Sequence, residues 1–384
     1  MEDISKKTFD ITRGAPPMET IPKDVIAGNG DEEVPGISDV IRENPLCLAY
    51  KGSNVAGHNF KGYGPLRETL AAQHKVKPEQ IFVRNGGMDA MHFVLHYLRY
   101  AYPDIPISVA TEVPTYDRFP RALNTFGFEW VGIPLTQDGL DMDELRSRVN
   151  KKYIDLFYRI YEGQNPSSYS YSDKEMQSQT EELAGLGAII MDDGAYHNLT
   201  YGRKRNEITE FPDNYILQRN FTKEVSPGLK CGYLVIPENM VEDFDYIVRN
   251  LGLNPVYPVQ AWYNAFINST LYPGQIDYLR DIFGPRAMAV LDALNECSPE
   301  AEYNRNLDSG YFLDVNYPSI PERDTFVDAL AERGIKVERV NDSYPPESLK
   351  RSKGAIRIPF ATLKEDEIEE VCRRIAEVHS KIAV

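Results

Sequence analysis

From about Ile81 to Val235 the chain alternates short apolar runs with longer amphipathic ones: IFV, MDAMHFVLHYL, ISVA, FEWVGIPL, DLFYRIY, AIIM, YILQ and GYLVIP. Alternation of this kind predicts a βαβ sheet covered by helices. Directly behind Ile81-Phe82-Val83 come Gly86-Gly87, and then Met88, Met91, Val94, Leu95 and Leu98 at helical spacing. The pattern is a strand, a glycine turn and a helix. Such a turn leaves backbone N–H groups free at a helix N-terminus, where a phosphate can be held without a charged side chain. Taken alone the turn decides nothing, because most glycine turns in α/β proteins bind no ligand.

Before about residue 45 and after about residue 250 the texture changes, with Pro and Gly scattered among shorter runs and long charged helices. These ends predict a smaller domain, residues 1–44 and 251–384, beside a large domain of roughly residues 45–250. A last helix is signalled by Thr362 and Glu365, spaced as a capping box, followed by Ile368, Val371, Cys372 and Ile375 on one face. There is no internal repeat and no low-complexity tract.

The 384 residues are 42% apolar and 26% charged, which is globular and long enough for one large domain plus a smaller one. With 42 Lys+Arg against 58 Asp+Glu the net charge is −16, which repels phosphate backbones and anionic membranes. Nucleic acid and membrane surfaces are therefore not the expected partners. No apolar stretch reaches the ~18 residues of a membrane span, and MEDISKKTFDITRG lacks the hydrophobic region of a signal peptide, so a cytoplasmic protein is expected. Cys47, Cys231, Cys297 and Cys372 form no CxxC pair and are expected as buried reduced thiols. His92 and His96 have no third ligand nearby, so they are expected on one helix face rather than at a metal.

Four further pieces follow in order: Asn165-Pro166 after DLFYRIYEGQ, Asp193-Gly-Ala-Tyr196 after AIIMD, Lys223 in NFTKEVSPGLKCGY, and Arg357 in AIRIPFA. Each is weak alone. In this order and spacing they resemble the fold-type I pyridoxal-phosphate enzymes, specifically the class I/II aminotransferases. The likeness is strongest to the branch of 2-aminoadipate and kynurenine aminotransferases, and it runs nearly end to end through GYGPLRETLA, EVPTYDRF, MDDGAYHNLTYG and SGYFLDV. It implies an α/β enzyme with a mostly parallel seven-stranded sheet in the large domain, pyridoxal 5'-phosphate as cofactor, and a homodimer.

The residue chemistry fits that resemblance. Lys223 stands near a strand end before Pro227-Gly228, where its amine can form a Schiff base with the cofactor aldehyde and later move the proton from Cα to C4′. An acid beside the pyridine nitrogen keeps it protonated, so that the ring takes up electrons. Adjacent strand side chains point to opposite faces, so only one of Asp192 and Asp193 can face the ring. The resemblance, which places the acid three residues before Tyr196, implies Asp193, with Asp192 capping or pairing elsewhere. The resemblance implies that Asn165 and Tyr196 bind the cofactor's phenolic oxygen, that Asn165 also meets the substrate, and that Tyr116 stacks on the ring. It further implies a phosphate site of Gly87, Met88, Asn220, Thr222 and Lys230, with Arg357 clamping the substrate α-carboxylate and Gly14 lying over the substrate.

Several positions depart from the family. Lys230 stands where arginine is usual, Asn220 where serine is usual, and Asn165-Pro166-Ser167-Ser168 where NPTG is usual. The tyrosine that reaches the neighbouring subunit's phosphate is missing; the place reads Ala56-Gly57-His58-Asn59, with His58 or Asn59 as the expected substitute. These departures leave the cofactor residues standing and bear on the reaction. The same electron sink serves transamination, and also the lyase, cyclase or oxidase chemistry of specialised metabolism. A non-catalytic ligand sensor is the rival from another class.

Overall fold

The computed structural model describes residues 4–383 apart from 13, 29–32, 44, 49–59, 137–138, 152, 203–211, 252–255, 339–342 and 346–352. Its strands are β1 (Phe9–Ile11), β2 (Ile81–Arg84), β3 (Ser108–Val113), β4 (Glu129–Thr136), β5 (Gly139–Leu140), β6 (Leu156–Arg159) and β7 (Ile189–Gly194). They continue with β8 (Tyr215–Asn220), β9 (Gly232–Val235), β10 (Glu302–Tyr303), β11 (Leu313–Asn316), β12 (Ile335–Val337) and β13 (Ile356–Ile358). The main sheet runs β2-β9-β8-β7-β6-β3-β4-β5. Its β4–β3, β3–β6, β6–β7 and β7–β8 pairs are parallel, and the pairs made by β9 and β5 are antiparallel. Seven of these strands are the predicted apolar runs. The eighth, β5, is two residues folded back on the end of β4, too short to leave a period in the sequence.

Both faces of the sheet are buried, and the alternation of side chains along a strand supplies the two faces separately. In β7, Ile189 and Met191 join the core on one side while Ile190 joins the core on the other. The helix Gly87–Ala101 covers the first of these faces with Ala90, Met91, Phe93, Val94, Leu95 and Leu98. Each fully buried side chain of the larger kinds contributes about 1.5 to 3 kcal/mol. Met88 does not share that face: it is 36% exposed, because the first turn of the helix projects beyond the sheet edge into a cavity. Val34, Val40, Trp262, Tyr263 and Phe266 pack in the opposite core.

A third core joins Phe9 and Ile11 to β11, β13 and the helices Leu271–Cys297, Arg323–Glu332 and Glu365–Ile382, so both chain ends meet there. The last helix starts later than the Thr362 and Glu365 spacing predicts. Thr362 closes a 3-10 turn by donating to Pro359 O, and the helix is capped when Glu367 accepts from the Lys364 N–H at 3.0 Å. Cys231 and Cys372 are buried thiols, Cys297 is half-buried, and the Cys47 side chain lies outside the described residues. His92 and His96 both pack on Phe126. No helix among the described residues is long and apolar enough to cross a membrane.

Topology places one sheet edge in charge of the chemistry. Because β9 runs against both β8 and β2, β2 points the same way as β8, so the Gly86-Gly87 turn opens where β3, β6, β7 and β8 end. Lys230, just before the reversed β9, arrives at the same edge. Ligands of open α/β sheets bind at this carboxyl edge.

Candidate active site

A cavity of about 260 Å³ lies at that edge, roofed by Gly14 from one chain end and by Phe312 and Arg357 from the other. Twelve residues expected at the site from the sequence line it: Gly14, Gly87, Met88, Tyr116, Asn165, Asp193, Tyr196, Asn220, Thr222, Lys223, Lys230 and Arg357. Residues 56–59, where the substitute for the missing tyrosine is expected, lie outside the described residues.

Lys223 follows the end of β8 by three residues, and its Nζ donates to Gly14 O at 3.1 Å. Nζ also lies 5.4 to 6.0 Å from the ring centres of Tyr311, Tyr196 and Phe312. Burial among these rings, and then the positive charge of Arg357, pull its pKa down to about 8. An amine at that value is partly neutral near pH 7, which a nucleophile requires. Gly14 is held to glycine by contact: a Cβ there would meet the Phe312 ring at 1.8 Å.

The two adjacent acids of β7 separate as strand geometry demands. Asp192 turns away and pairs with Arg219 at 3.2 Å while accepting from Tyr215. Asp193 faces the cavity, 6% exposed, and accepts from the Tyr158 hydroxyl and from Gln218 Nε2, each at 2.7 Å. Burial pushes its pKa up to about 6, and the Tyr158 hydrogen bond opposes that rise. Burial likewise raises the Tyr196 hydroxyl.

At the other end of the cavity the helix Gly87–Ala101 begins, with Gly86 at φ +88°. The first helical bond is donated by Ala90 to Gly86 O, so the amides of Gly87 and Met88 have no acceptor within the helix. A Cβ on Gly87 would come within 2.8 Å of Gln218 Nε2 and 3.2 Å of Asn220 Nδ2, so a side chain there would have to displace these two amides. Thr222 and Lys230 complete the rim. Free backbone amides, side-chain donors and one cation together at this end of the cavity fit a phosphate.

Arg357 is 4% exposed and donates from Nη1 to Asn165 Oδ1 and from Nη2 to Thr12 O, both at 3.1 Å. Glu338 lies 3.4 Å from Nη2, and the guanidinium stacks on Phe312 at 4.6 Å. Among the described residues Nε has no hydrogen-bond partner. Ser168, at the position where the family usually has glycine, adopts φ +55° and donates to Phe312 O.

Sequence reasoning missed Gln218, Tyr158 and Phe312. Gln218 had a signal: it precedes Asn220 and Thr222 at two-residue spacing, and strand periodicity turns 218 and 220 to one side. Phe312 had none, because it reaches the cavity from the other end of the chain.

A lysine, a buried acid and a glycine turn with free amides, at the carboxyl edge of a mostly parallel sheet, are the parts that a pyridoxal-phosphate enzyme of fold type I requires. Residues 30–375 match the family "Aminotransferase class I and II", and the chain belongs to it. It is a pyridoxal-phosphate-dependent aminotransferase, which moves an amino group from an amino acid to a 2-oxo acid. Among its relatives is 2-aminoadipate transaminase of Thermus thermophilus, 23% identical over 94% of this chain and 87% of that protein. Another is aromatic-amino-acid aminotransferase 1 of Thermococcus litoralis, 22% identical over 96% and 87%. Among solved structures, α-aminoadipate aminotransferase of Thermus thermophilus, complexed with N-(5'-phosphopyridoxyl)-L-leucine, aligns with a TM-score of 0.84. It is 20% identical, over 98% of this chain and 93% of that one. Kynurenine aminotransferase of Pyrococcus horikoshii aligns at 0.81, with 21% identity over 98% and 92%.

Proposed function

We propose that the transamination runs through Lys223 on an α-amino acid whose carboxylate is held by Arg357. The observation that supports this reading is the convergence of Asn165, Asp193, Tyr196, Lys223 and Arg357, from separate segments, on one cavity with a phosphate cradle at its far end. The cofactor supplies an aldehyde and a ring that takes up the electrons of a bond broken at Cα.

The chain's own groups divide the remaining work. Lys223 Nζ would hold the aldehyde and, once an incoming amine displaces it, would move the proton from Cα to C4′. Asp193 keeps a proton on the ring nitrogen, Tyr116 covers a ring face, and Asn165 and Tyr196 hold the phenolic oxygen. Gly87 and Met88 N–H groups, with Asn220, Thr222 and Lys230, hold the phosphate. Gly14 and Phe312 close the roof and exclude water. The relatives named above are called after acidic and aromatic amino acids, which favours an α-amino acid as donor. A cytoplasmic homodimer is the form we propose for the enzyme, on its resemblance to a family with shared active sites.

The test is a half-reaction. With an amino donor and no oxo acid, bound cofactor is expected to convert stoichiometrically to pyridoxamine phosphate, and a 2-oxo acid should reverse the change. Ammonia, a cyclised product or an eliminated side chain, with the aldehyde regenerated over many turnovers, would instead favour a lyase, cyclase or oxidase. Borohydride reduction followed by peptide mass spectrometry should find the pyridoxyl label on Lys223; a label on another lysine overturns that assignment.

A further inference from the structure

One side chain joins the two ends of the cavity floor. Gln218 is 1% exposed, stands opposite Asp193 in the parallel register of β7 and β8, and lines the same cavity. Its Nε2 donates to Asp193 Oδ1, while Tyr158 donates to Oδ2. Both oxygens of the buried carboxylate therefore hold a neutral donor. The same Nε2 occupies the space into which a Cβ on Gly87 would project. Gln218 Nε2 thus touches the acid and also lies against the glycine turn.

The direction of the amide carries electrostatic information. A primary amide can present either NH2 or its oxygen, and only the NH2 is attracted to an ionised carboxylate. Hydrogen bonds donated to a carboxylate favour its charged form, and burial favours the neutral one. A neutral Asp193 would accept a proton of its own and leave the ring nitrogen without a counter-charge. Among the described residues Gln218 Oε1 has no hydrogen-bond partner, so the NH2 end is the half of this amide in use.

We propose that Gln218 is a positioning residue for the cofactor: with Tyr158 it keeps Asp193 charged and aimed at the ring nitrogen, and it fills the space beside Gly87 in the glycine turn. The proposal rests on the reading of Asp193 as the partner of that nitrogen.

The experiment reconstitutes wild type, Gln218→Leu, Gln218→Met, Tyr158→Phe and Asp193→Asn with 15N-labelled pyridoxal phosphate. It reads the ring-nitrogen resonance and the rate of cofactor loss. Wild type is expected at the protonated position. Both Gln218 variants should move toward the neutral-pyridine position and lose cofactor about ten-fold faster or more, as for removal of a hydrogen bond to a charged group. Tyr158→Phe should move the same way. Gln218→Met, flexible and of similar volume, carries the test if Gln218→Leu fails to fold. Wild-type resonance and retention in both Gln218 variants, with Asp193→Asn shifted, overturn the proposal. If Asp193→Asn itself leaves the resonance unchanged, the underlying assignment of Asp193 has failed instead. As a second readout, Gly87→Ala should weaken cofactor retention in wild type and do so less in a Gln218→Ala background; additive effects contradict the contact.

Discussion

Lys223 and Arg357 are coupled through charge as well as through the substrate they would share. The lysine is pulled down to about 8 by burial first and by Arg357 second. Only the neutral amine attacks an aldehyde, so reconstitution of apoprotein with cofactor should speed up with rising pH and level off above a midpoint near 8. Stopped-flow absorbance measures this; a midpoint near the ordinary lysine value of about 10.4 would contradict the burial argument. Arg357→Ala removes the second cause and should move the midpoint upward. Arg357 itself serves Asn165 and Thr12 with separate donors of one planar fork, beside Glu338. A lysine offers a point charge without the fork. Arg357→Lys and Arg357→Ala should therefore both lower kcat/KM, by about 2 to 5 kcal/mol in transition-state binding, while cofactor content stays near wild type. Full turnover in both variants would mean that another group holds the carboxylate.

Strands β3 and β6 carry the segments that end in Tyr116 and Asn165, and between them lies a fully buried ion pair. Glu112 and Arg159 are both 0% exposed with N···O 3.7 Å; the guanidinium stacks on Tyr161 at 3.8 Å and Tyr171 at 4.4 Å, and Glu112 accepts from Tyr171 and from the Ile160 N–H. Removing one partner leaves a charge with no solvent, which costs about 3 to 5 kcal/mol. Arg159→Met should lower stability toward urea by that order, and Glu112→Gln added to it should recover part of the loss. Simple addition of the two losses would show that the ion pair is not the unit holding these strands. The strands themselves were legible as apolar runs. Their neighbours were not: nothing local makes β2 lie beside β9 rather than β3, since that choice depends on pairing between residues about 150 apart, such as Ile81 with Val235. The capping box at Thr362 was misread for a related reason, because the turn at Pro359 uses that hydroxyl first.

The whole molecule combines a sheet-bearing body with a roof drawn from both chain ends. If the active sites are shared between subunits, light scattering at assay concentrations should give twice the chain mass, and an active monomer would refute the proposed homodimer. The sequence by itself determined the strand, glycine turn and helix at Ile81 to Leu98, and the order and identity of the lysine, acid, tyrosine and arginine. Those are set by local periodicity and by chemistry that tolerates few residue types. Only the tertiary structure decided that Asp193 rather than Asp192 meets Gln218 and Tyr158, that Gly14 and Phe312 close over Lys223, and that Met88 leaves the core to face the cavity. Each of these depends on register and on contacts between distant segments, such as Arg357 with Asn165, which are fixed when the three cores pack and which no local pattern encodes.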